Sequence, residues 1–362
     1  MKRGKKMKKN MYLLTGATGY LGSTVSRLLT AQNKTVRALV MQNDPAISLI
    51  PDGVEIVTGD ITDSASVNNF FDLSGNANNN TEITVIHCAG MVNATAELSI
   101  RLMSVNVGGT RNIINACVNH KVKKLVYISS TSAIPELPHG EVIREADTYD
   151  PYLVTGGYSQ TKAMATQLVL DAIQEHDLDA SVVFSGGISG PGDYGNGHFS
   201  RFLIDYINGK IHAGIAGSFN AVDVRDIAEG VIACAEKGRK GEAYIMSGSA
   251  VSIHSLFNMI SKYSGTKDVN IILPAYIAKI SAAFSSLLNA FAGKRGLFNF
   301  YAIYNLTRNN VYSSEKAKRE LGFRARPLEE TVRDTVIWLY GEKRICENDK
   351  TAGNINPQLL AA

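Results

Sequence analysis

Three glycines, Gly16, Gly19 and Gly22, constrain what this chain can fold into more than any other feature. Residues 11–14 form a short apolar run of strand length, and residues 23–29 are amphipathic at helical spacing. The glycines therefore fall where a strand turns into a helix. Glycine at 16 permits a tight turn, glycine at 19 lets the backbone approach a pyrophosphate, and glycine at 22 lets the helix pack closely on the strand. The unpaired amides of the new helix would then face the phosphates.

The full stretch, Thr15-Gly16-Ala17-Thr18-Gly19-Tyr20-Leu21-Gly22, spaces its glycines Gly-x-x-Gly-x-x-Gly, one residue longer at its start than the usual dinucleotide fingerprint. It resembles the turn of the extended short-chain dehydrogenase/reductase superfamily, the NAD-dependent epimerase/dehydratase branch. The resemblance recurs to about residue 338. It implies an α/β fold: a Rossmann-type doubly wound parallel sheet over residues 11–190, helped by residues 220–250, with a smaller α+β substrate region over 191–342. Within the turn, Gly16, Thr18, Gly19, Tyr20, Leu21 and Gly22 are the expected cofactor contacts.

Composition narrows the setting. With 45% apolar residues in 362, the chain can bury a substantial core. The formal charge of +4 is no nucleic-acid signal, because Lys2, Arg3, Lys5, Lys6, Lys8 and Lys9 supply six positive charges and the remainder is slightly acidic. Residues 1–10 read as a disordered basic head and 343–362 as a flexible tail. The apolar run after the basic head is too short for a signal peptide core, and no run approaches the length needed to span a bilayer. Cys88, Cys117, Cys234 and Cys346 lack any zinc or redox spacing, which suggests reduced thiols in the cytoplasm and no metal.

The cofactor half continues with a second strand at residues 35–40. An acid at its end would accept from a free ribose 2′-hydroxyl and favour NAD, whereas an arginine would pair a 2′-phosphate and favour NADP. Met41 is neither. Arg37, within the strand, tilts the expectation toward NADP; Asp44 lies late, and NAD stays open. The resemblance further implies that Asp60 and Ile61 hold the adenine, that Cys88-Ala89-Gly90 is the small-residue turn under the cofactor, and that Ser185 and Ile188 line the nicotinamide carboxamide. Asn106 matches the family's Asn-x-x-Gly-Thr and is expected to brace the catalytic loop. His87, at the end of an apolar strand, reads as a core residue.

The chemistry is expected where strand five ends in Ser129-Ser130-Thr131-Ser132 and a later helix carries Tyr158 and Lys162. Four residues apart, the phenol and the ammonium share a helix face. A phenol with a pKa near about 10 is a poor proton shuttle at neutral pH, and a nearby ammonium would lower it. A hydroxyl from strand five would stabilise the developing charge on the substrate oxygen. The family pattern puts that role on Thr131, with Ser130 the alternative.

Phe184 and Ser185 stand where the family has Arg-Pro, although Gly190-Pro191-Gly192 is kept. Residues 214–222 contain no basic side chain where nucleotide-sugar members carry a diphosphate-binding arginine. Residues 275–292 are apolar apart from Lys279 and read as a core or lid helix facing a hydrophobic ketone or alcohol. The expected activity is thus an NAD(P)-dependent oxidoreductase acting on an apolar small molecule. A nucleotide-sugar epimerase or dehydratase with retained NAD, and a non-catalytic NADPH-binding regulator, are the alternatives. Helix-pair dimers are common among family members, which leaves a homodimer open.

Overall fold

The computed structural model describes residues 9–74, 81–92, 96–277 and 300–345. Its centre is a seven-stranded sheet, parallel throughout: β1 (Lys9–Thr15), β2 (Thr35–Val40), β3 (Glu55–Thr58), β4 (Thr81–His87), β5 (Lys124–Ser130), β6 (Ala180–Ser185) and, much later in the chain, Ala243–Met246. The spatial order is that last strand, then β6-β5-β4-β1-β2-β3. Strand order thus reverses between β1 and β4, and ligands of open parallel sheets bind outside the strand ends at such a switch point.

Both faces of the sheet are covered, so its strands alternate between two apolar layers rather than between core and water. Met11 and Leu13 of β1 join one layer, Tyr12 and Leu14 the other; Leu125 and Tyr127 of β5 divide from Val126 and Ile128 in the same way. Helices α1 (Tyr20–Ala31) and, later, Val224–Lys237 cover one face. On the other lie α2 (Ser64–Phe71), the pair α3 (Ile100–Met103) and α4 (Thr110–Asn119), joined through a π-helical turn at Ser104–Gly109, and α5 (Gly157–His176). The Asp63 carboxylate caps α2 by accepting from the Ala65 and Ser66 amides, which satisfies two of the helix's unpaired donors.

After β6 come β7 (Gly187–Ser189), α6 (His198–Ile207), β8 (Gly214–Ile215) and β9 (Ser218–Asp223). They are followed by α7 (Val224–Lys237), β10 (Ala243–Met246), β11 (Ala250–Ser252), α8 (Ile253–Ser264) and β12 (Ile272–Leu273). The chain then supplies α9 (Phe300–Thr307), α10 (Glu315–Leu321) and α11 (Leu328–Gly341). A second sheet runs β11-β9-β7, and a third apolar cluster joins α6, α8 and α11. Asp223 caps α7 and pairs with Arg225, and Asp226 pairs with Arg326 just before α11, so acids at the β9–α7 junction tie the C-terminal helix to the body.

Two boundaries differ from expectation. Strand β1 begins at Lys9, where Lys9 and Asn10 pair with Thr81 and Glu82 of β4, so the head is shorter than ten residues. At the other end, Ile345 is buried and Arg344 donates to the Asp193 carbonyl and the Asn196 side chain while stacking on Trp338. The chain is therefore still docked beyond 343. The rest of the basic head, most of the apolar stretch 275–292, the loop at 76–80 and the end of the tail lie outside the described residues. No helix among the described residues is long and apolar enough to cross a membrane.

Candidate active site

The glycine turn leaves β1 with Gly16 at φ +71°, a left-handed conformation that glycine adopts freely. A Cβ there would sit 2.7 Å from the Ala89 nitrogen, and one on Gly22 would sit 2.0 Å from the Gly16 carbonyl oxygen. The turn and the Cys88-Ala89-Gly90 segment after β4 are thus pressed together, secured by the Ala89 amide donating to the Thr15 hydroxyl. Gly19 opens α1, exposed and with no side chain capping the helix, so no Cβ stands in front of its first, unpaired amides. That is the donor set and the space a pyrophosphate needs. The Tyr20 phenol crosses the cleft to donate to the Gly190 carbonyl at 2.5 Å, linking the turn to the segment after β7.

Arg37 is not at the cofactor end. It is 6% exposed, and it donates to the Phe70 and Asp72 carbonyls and pairs with Glu55 at 2.7 Å. Those carbonyls belong to the C-terminal end of α2, which runs antiparallel to the strands and ends at the opposite edge of the sheet. Arg37 is a helix C-cap, satisfying orphan carbonyls at the negative end of the helix dipole. The expected contact with a 2′-phosphate is therefore withdrawn, and with it the reason to favour NADP. Arg37→Leu should cost about 2 kcal/mol of stability in urea unfolding, because two buried carbonyls lose a charged donor. The ratio of NAD to NADP affinity should not move.

The side chain that does reach the glycine turn from the β2 end is Asp44. It accepts from the Thr18 hydroxyl at 2.8 Å and from the Ala46 amide at 2.9 Å. Beyond β3, Asp60 is exposed and uses one oxygen to hold the Thr62 amide; Ile61 is buried against Gly109, where a Cβ would lie 2.6 Å from its Cδ1. On β6, Ser185 is buried with its hydroxyl on the Ser129 carbonyl at 3.4 Å, and Ile188 is half-buried on β7. In place of the family's Arg-Pro, Phe184 is fully buried and packs on Tyr149 with ring centroids 4.8 Å apart.

Lys162 stands under this cleft, 5% exposed, with its ammonium donating to the Ile128 carbonyl at 2.5 Å and lying 4.5 Å from the centroid of the Tyr127 ring. A Cβ on Gly90 would come within 3.9 Å of its Nζ. Burial without a carboxylate partner pulls its pKa down to about 7. Tyr158, one turn earlier on α5, is pushed up to about 12 by burial, partly offset by hydrogen bonding from Ser130. The ammonium does not lower the phenol as the spacing suggested, because it is turned toward the β5 carbonyl.

Of the two strand-five hydroxyls, Ser130 is the one against Tyr158, whereas the Thr131 hydroxyl meets the phenol of Tyr312. The reason is local. Strand β5 ends at Ser130, and the one-turn helix Thr131–Ala133 rotates the next side chain away, with the Ser132 amide and hydroxyl held on the Ser130 oxygen.

A buried brace joins these parts. Asn106, in the π-turn, accepts from the Met91 amide at 2.7 Å and donates to the Met91 carbonyl and the Thr161 hydroxyl, so the loop after β4 is fixed to α5. His87 is 1% exposed between the hydroxyls of Thr15 and Thr110, and burial takes its pKa down to about 3, so it stays neutral. Sequence reasoning passed over the reach of Asp44 and did not single out Tyr312 or Arg308, both C-terminal of α9. The i, i+3, i+7 stripe Tyr301, Tyr304, Arg308 was the available signal for the last.

A parallel sheet with its switch point at β1 and β4, and a cleft built from a glycine turn facing a buried Tyr-Lys helix, defines a Rossmann-type dinucleotide-binding protein. The chain belongs to the NAD-dependent epimerase/dehydratase family, within the extended short-chain dehydrogenases/reductases, with the family pattern matching residues 12–247. Sterol demethylase protein B of Methylococcus capsulatus is 27% identical over 329 residues, covering 90% of this chain and 97% of that protein. Short-chain dehydrogenase/reductase family 42E member 1 of Homo sapiens is 28% identical, covering 92% and 88%. The crystal structure of gox2253, at 29% identity, superposes with a TM-score of 0.78 over 93% of this chain and 99% of that one.

Proposed function

We propose that the protein is an NAD-dependent oxidoreductase that interconverts a carbonyl and a secondary alcohol on a largely apolar substrate, with Tyr158 as general acid and base. The observation that carries this reading is the convergence of Tyr158, the Ser130 hydroxyl and the buried Lys162 ammonium at the carboxyl edge of the sheet beside the glycine turn. The sterol in the name of a relative that spans nearly the same length supports an apolar substrate.

The residues present fit a dinucleotide. Gly16, Thr18, Gly19, Tyr20, Leu21 and Gly22 would cradle its pyrophosphate, and Asp44 would accept from the adenosine ribose. Asp60 would accept from the adenine amine, with Ile61 against the ring. Cys88, Ala89 and Gly90 would lie beneath it, Lys162 would donate to the nicotinamide ribose, and Ser185 and Ile188 would flank the carboxamide. When bound, this group supplies the hydride and, in its oxidised form, a positive charge.

At neutral pH the Tyr158 phenol is protonated, with its pKa at about 12, and so stands ready to donate to a substrate oxygen. Ser130 orients that phenol, and its single hydroxyl proton would turn to the substrate oxygen as the phenol donates to the same atom, while the Thr131 hydroxyl is engaged by Tyr312. Replacing Ser130 with Ala should therefore lower turnover more than replacing Thr131 with Ala. Phe219, near the place where sugar-processing members carry a base, stacks on Phe199 with ring centroids 5.8 Å apart and rings within 10° of parallel. An apolar ring suits that surface better than a diphosphate does.

The test is a titration with NAD and NADP followed by turnover on a panel of sterol-sized and smaller ketones and alcohols. Turnover with NAD on apolar members supports the reading; tightly retained NAD with no turnover on any of them counts against it. The place of Asp44 adds a sharper expectation. A carboxylate beside the ribose opposes a 2′-phosphate, so Asp44→Asn should raise relative NADP affinity about 10-fold or more, read by cofactor fluorescence titration.

A further inference from the structure

Arg308 follows α9, is 6% exposed, and its Nε is sealed with no partner. Among the described residues its side chain donates no hydrogen bond and forms no ion pair. This is unusual for a guanidinium, which stays charged when buried and normally comes with a carboxylate or a set of carbonyls. The Glu136 carboxylate does not serve. Glu136 already accepts from the Tyr304 hydroxyl at 2.8 Å and the Asn309 amide at 3.0 Å. What Arg308 does have is the face of Tyr304, with the guanidinium carbon 5.7 Å from the ring centroid, a contact that offsets only part of the desolvation.

Its location bears on what the guanidinium could bind. Tyr301, Tyr304 and Arg308 lie at i, i+3 and i+7, one stripe along α9. Tyr301 packs over Gly156 at the start of α5, where a Cβ would lie 2.2 Å from its ring, and its hydroxyl is 3.2 Å from that of Ser159, next to Tyr158. At the other end of the stripe, the Arg308 charge acts on the Tyr312 phenol, which meets the Thr131 hydroxyl. Tyr312 is held there by a parallel bridge to Ile143, with the Ile143 amide on the Val311 carbonyl and the Ser313 amide on the Ile143 carbonyl, each at 2.9 Å. The stripe therefore runs from the neighbour of the proposed proton donor to a buried cation whose hydrogen-bond donors are unspent among the described residues.

We propose that Arg308 binds an oxyanion carried by the substrate, so that the natural substrate is an apolar body bearing a carboxylate or phosphate group at a distance from the reacting carbon. This rests on the placement of the substrate beside Tyr158 argued above. A planar guanidinium with its donors unspent suits bidentate recognition of either anion.

The probes are cholate, methyl cholate and inorganic phosphate, each followed by thermal shift with NAD present, and the two steroids as substrates for NAD reduction. Cholate should raise the midpoint and methyl cholate should not; a phosphate response without a cholate response would assign the site to phosphate. Arg308→Met should abolish the cholate shift, and Arg308→Lys should restore part of it. For turnover, Arg308→Met should lower kcat/KM for cholate about 100-fold, mainly through KM, while leaving methyl cholate within a few fold.

Equal responses to the acid and its ester in the unaltered protein, or an equal loss on both in Arg308→Met, would overturn the proposal and leave Arg308 a structural residue. Failure of the redox reading is a separate result: no thermal shift with NAD, while the cholate response depends on Arg308.

Discussion

Tyr158→Phe is expected to lower kcat about 1000-fold while cofactor affinity stays within twofold. The change removes one oxygen from a half-buried ring and leaves the rest of its packing in place. The phenol, held protonated by burial at about 12 and oriented by Ser130, is the proton donor proposed for the reaction. Single-turnover mixing with NADH and a ketone separates the steps: binding should be unchanged and the chemical phase slowed. Turnover within tenfold of the unaltered protein would remove Tyr158 from the chemistry.

Lys162→Met should act in opposite directions on stability and activity. A buried ammonium held by one carbonyl and an aromatic face is destabilising, as its pKa of about 7 records. The folded form binds this proton less tightly than the unfolded chain does. Below about pH 7 both states are protonated and the penalty is present in full; it fades as pH rises from there toward the ordinary lysine value near about 10.4. The unaltered apoprotein should therefore gain stability from pH 7 to 10 through this group. In Lys162→Met the midpoint should be higher at pH 7, and that part of its pH dependence should be gone. Turnover should fall at least about 100-fold, since the proposed donor to the nicotinamide ribose is lost. Thermal unfolding over pH 6 to 10 beside initial rates reads both effects.

How much of this was legible in the sequence depended on whether a signal was local. The glycine turn, the alternating strands and the Tyr-Lys spacing are written in consecutive residues, and each lands where its pattern places it. Asn106 was expected to make a tertiary hydrogen bond because the residue suits a helix poorly, and it joins the β4 loop to α5. Arg37 shows the limit. In a parallel strand buried on both faces, the sequence tells which residues share a face but not which end of the strand a long side chain will follow, and here an unseen partner, the carbonyl end of α2, decided it. Ser130 and Thr131 could not be separated because one residue of helical turn exchanges their directions. Arg308 was marked only by its place on the Tyr301, Tyr304, Arg308 stripe, a spacing that shows a shared face but not that the guanidinium on it is buried.

The return of β10 to the main sheet has a consequence for how such a protein can change. Residues 243–246 complete the edge of the nucleotide-binding layer only after the chain has already built β7, α6 and β9 on the substrate side. The two halves are interleaved, with neither a contiguous stretch. A new specificity cannot arrive by grafting everything beyond residue 190 from a relative without also importing a strand of the Rossmann sheet and the α7 face beneath it. Inheritance of substrate preference is thus confined to separate inserts, of which the stretch carrying α9 and Arg308 is one.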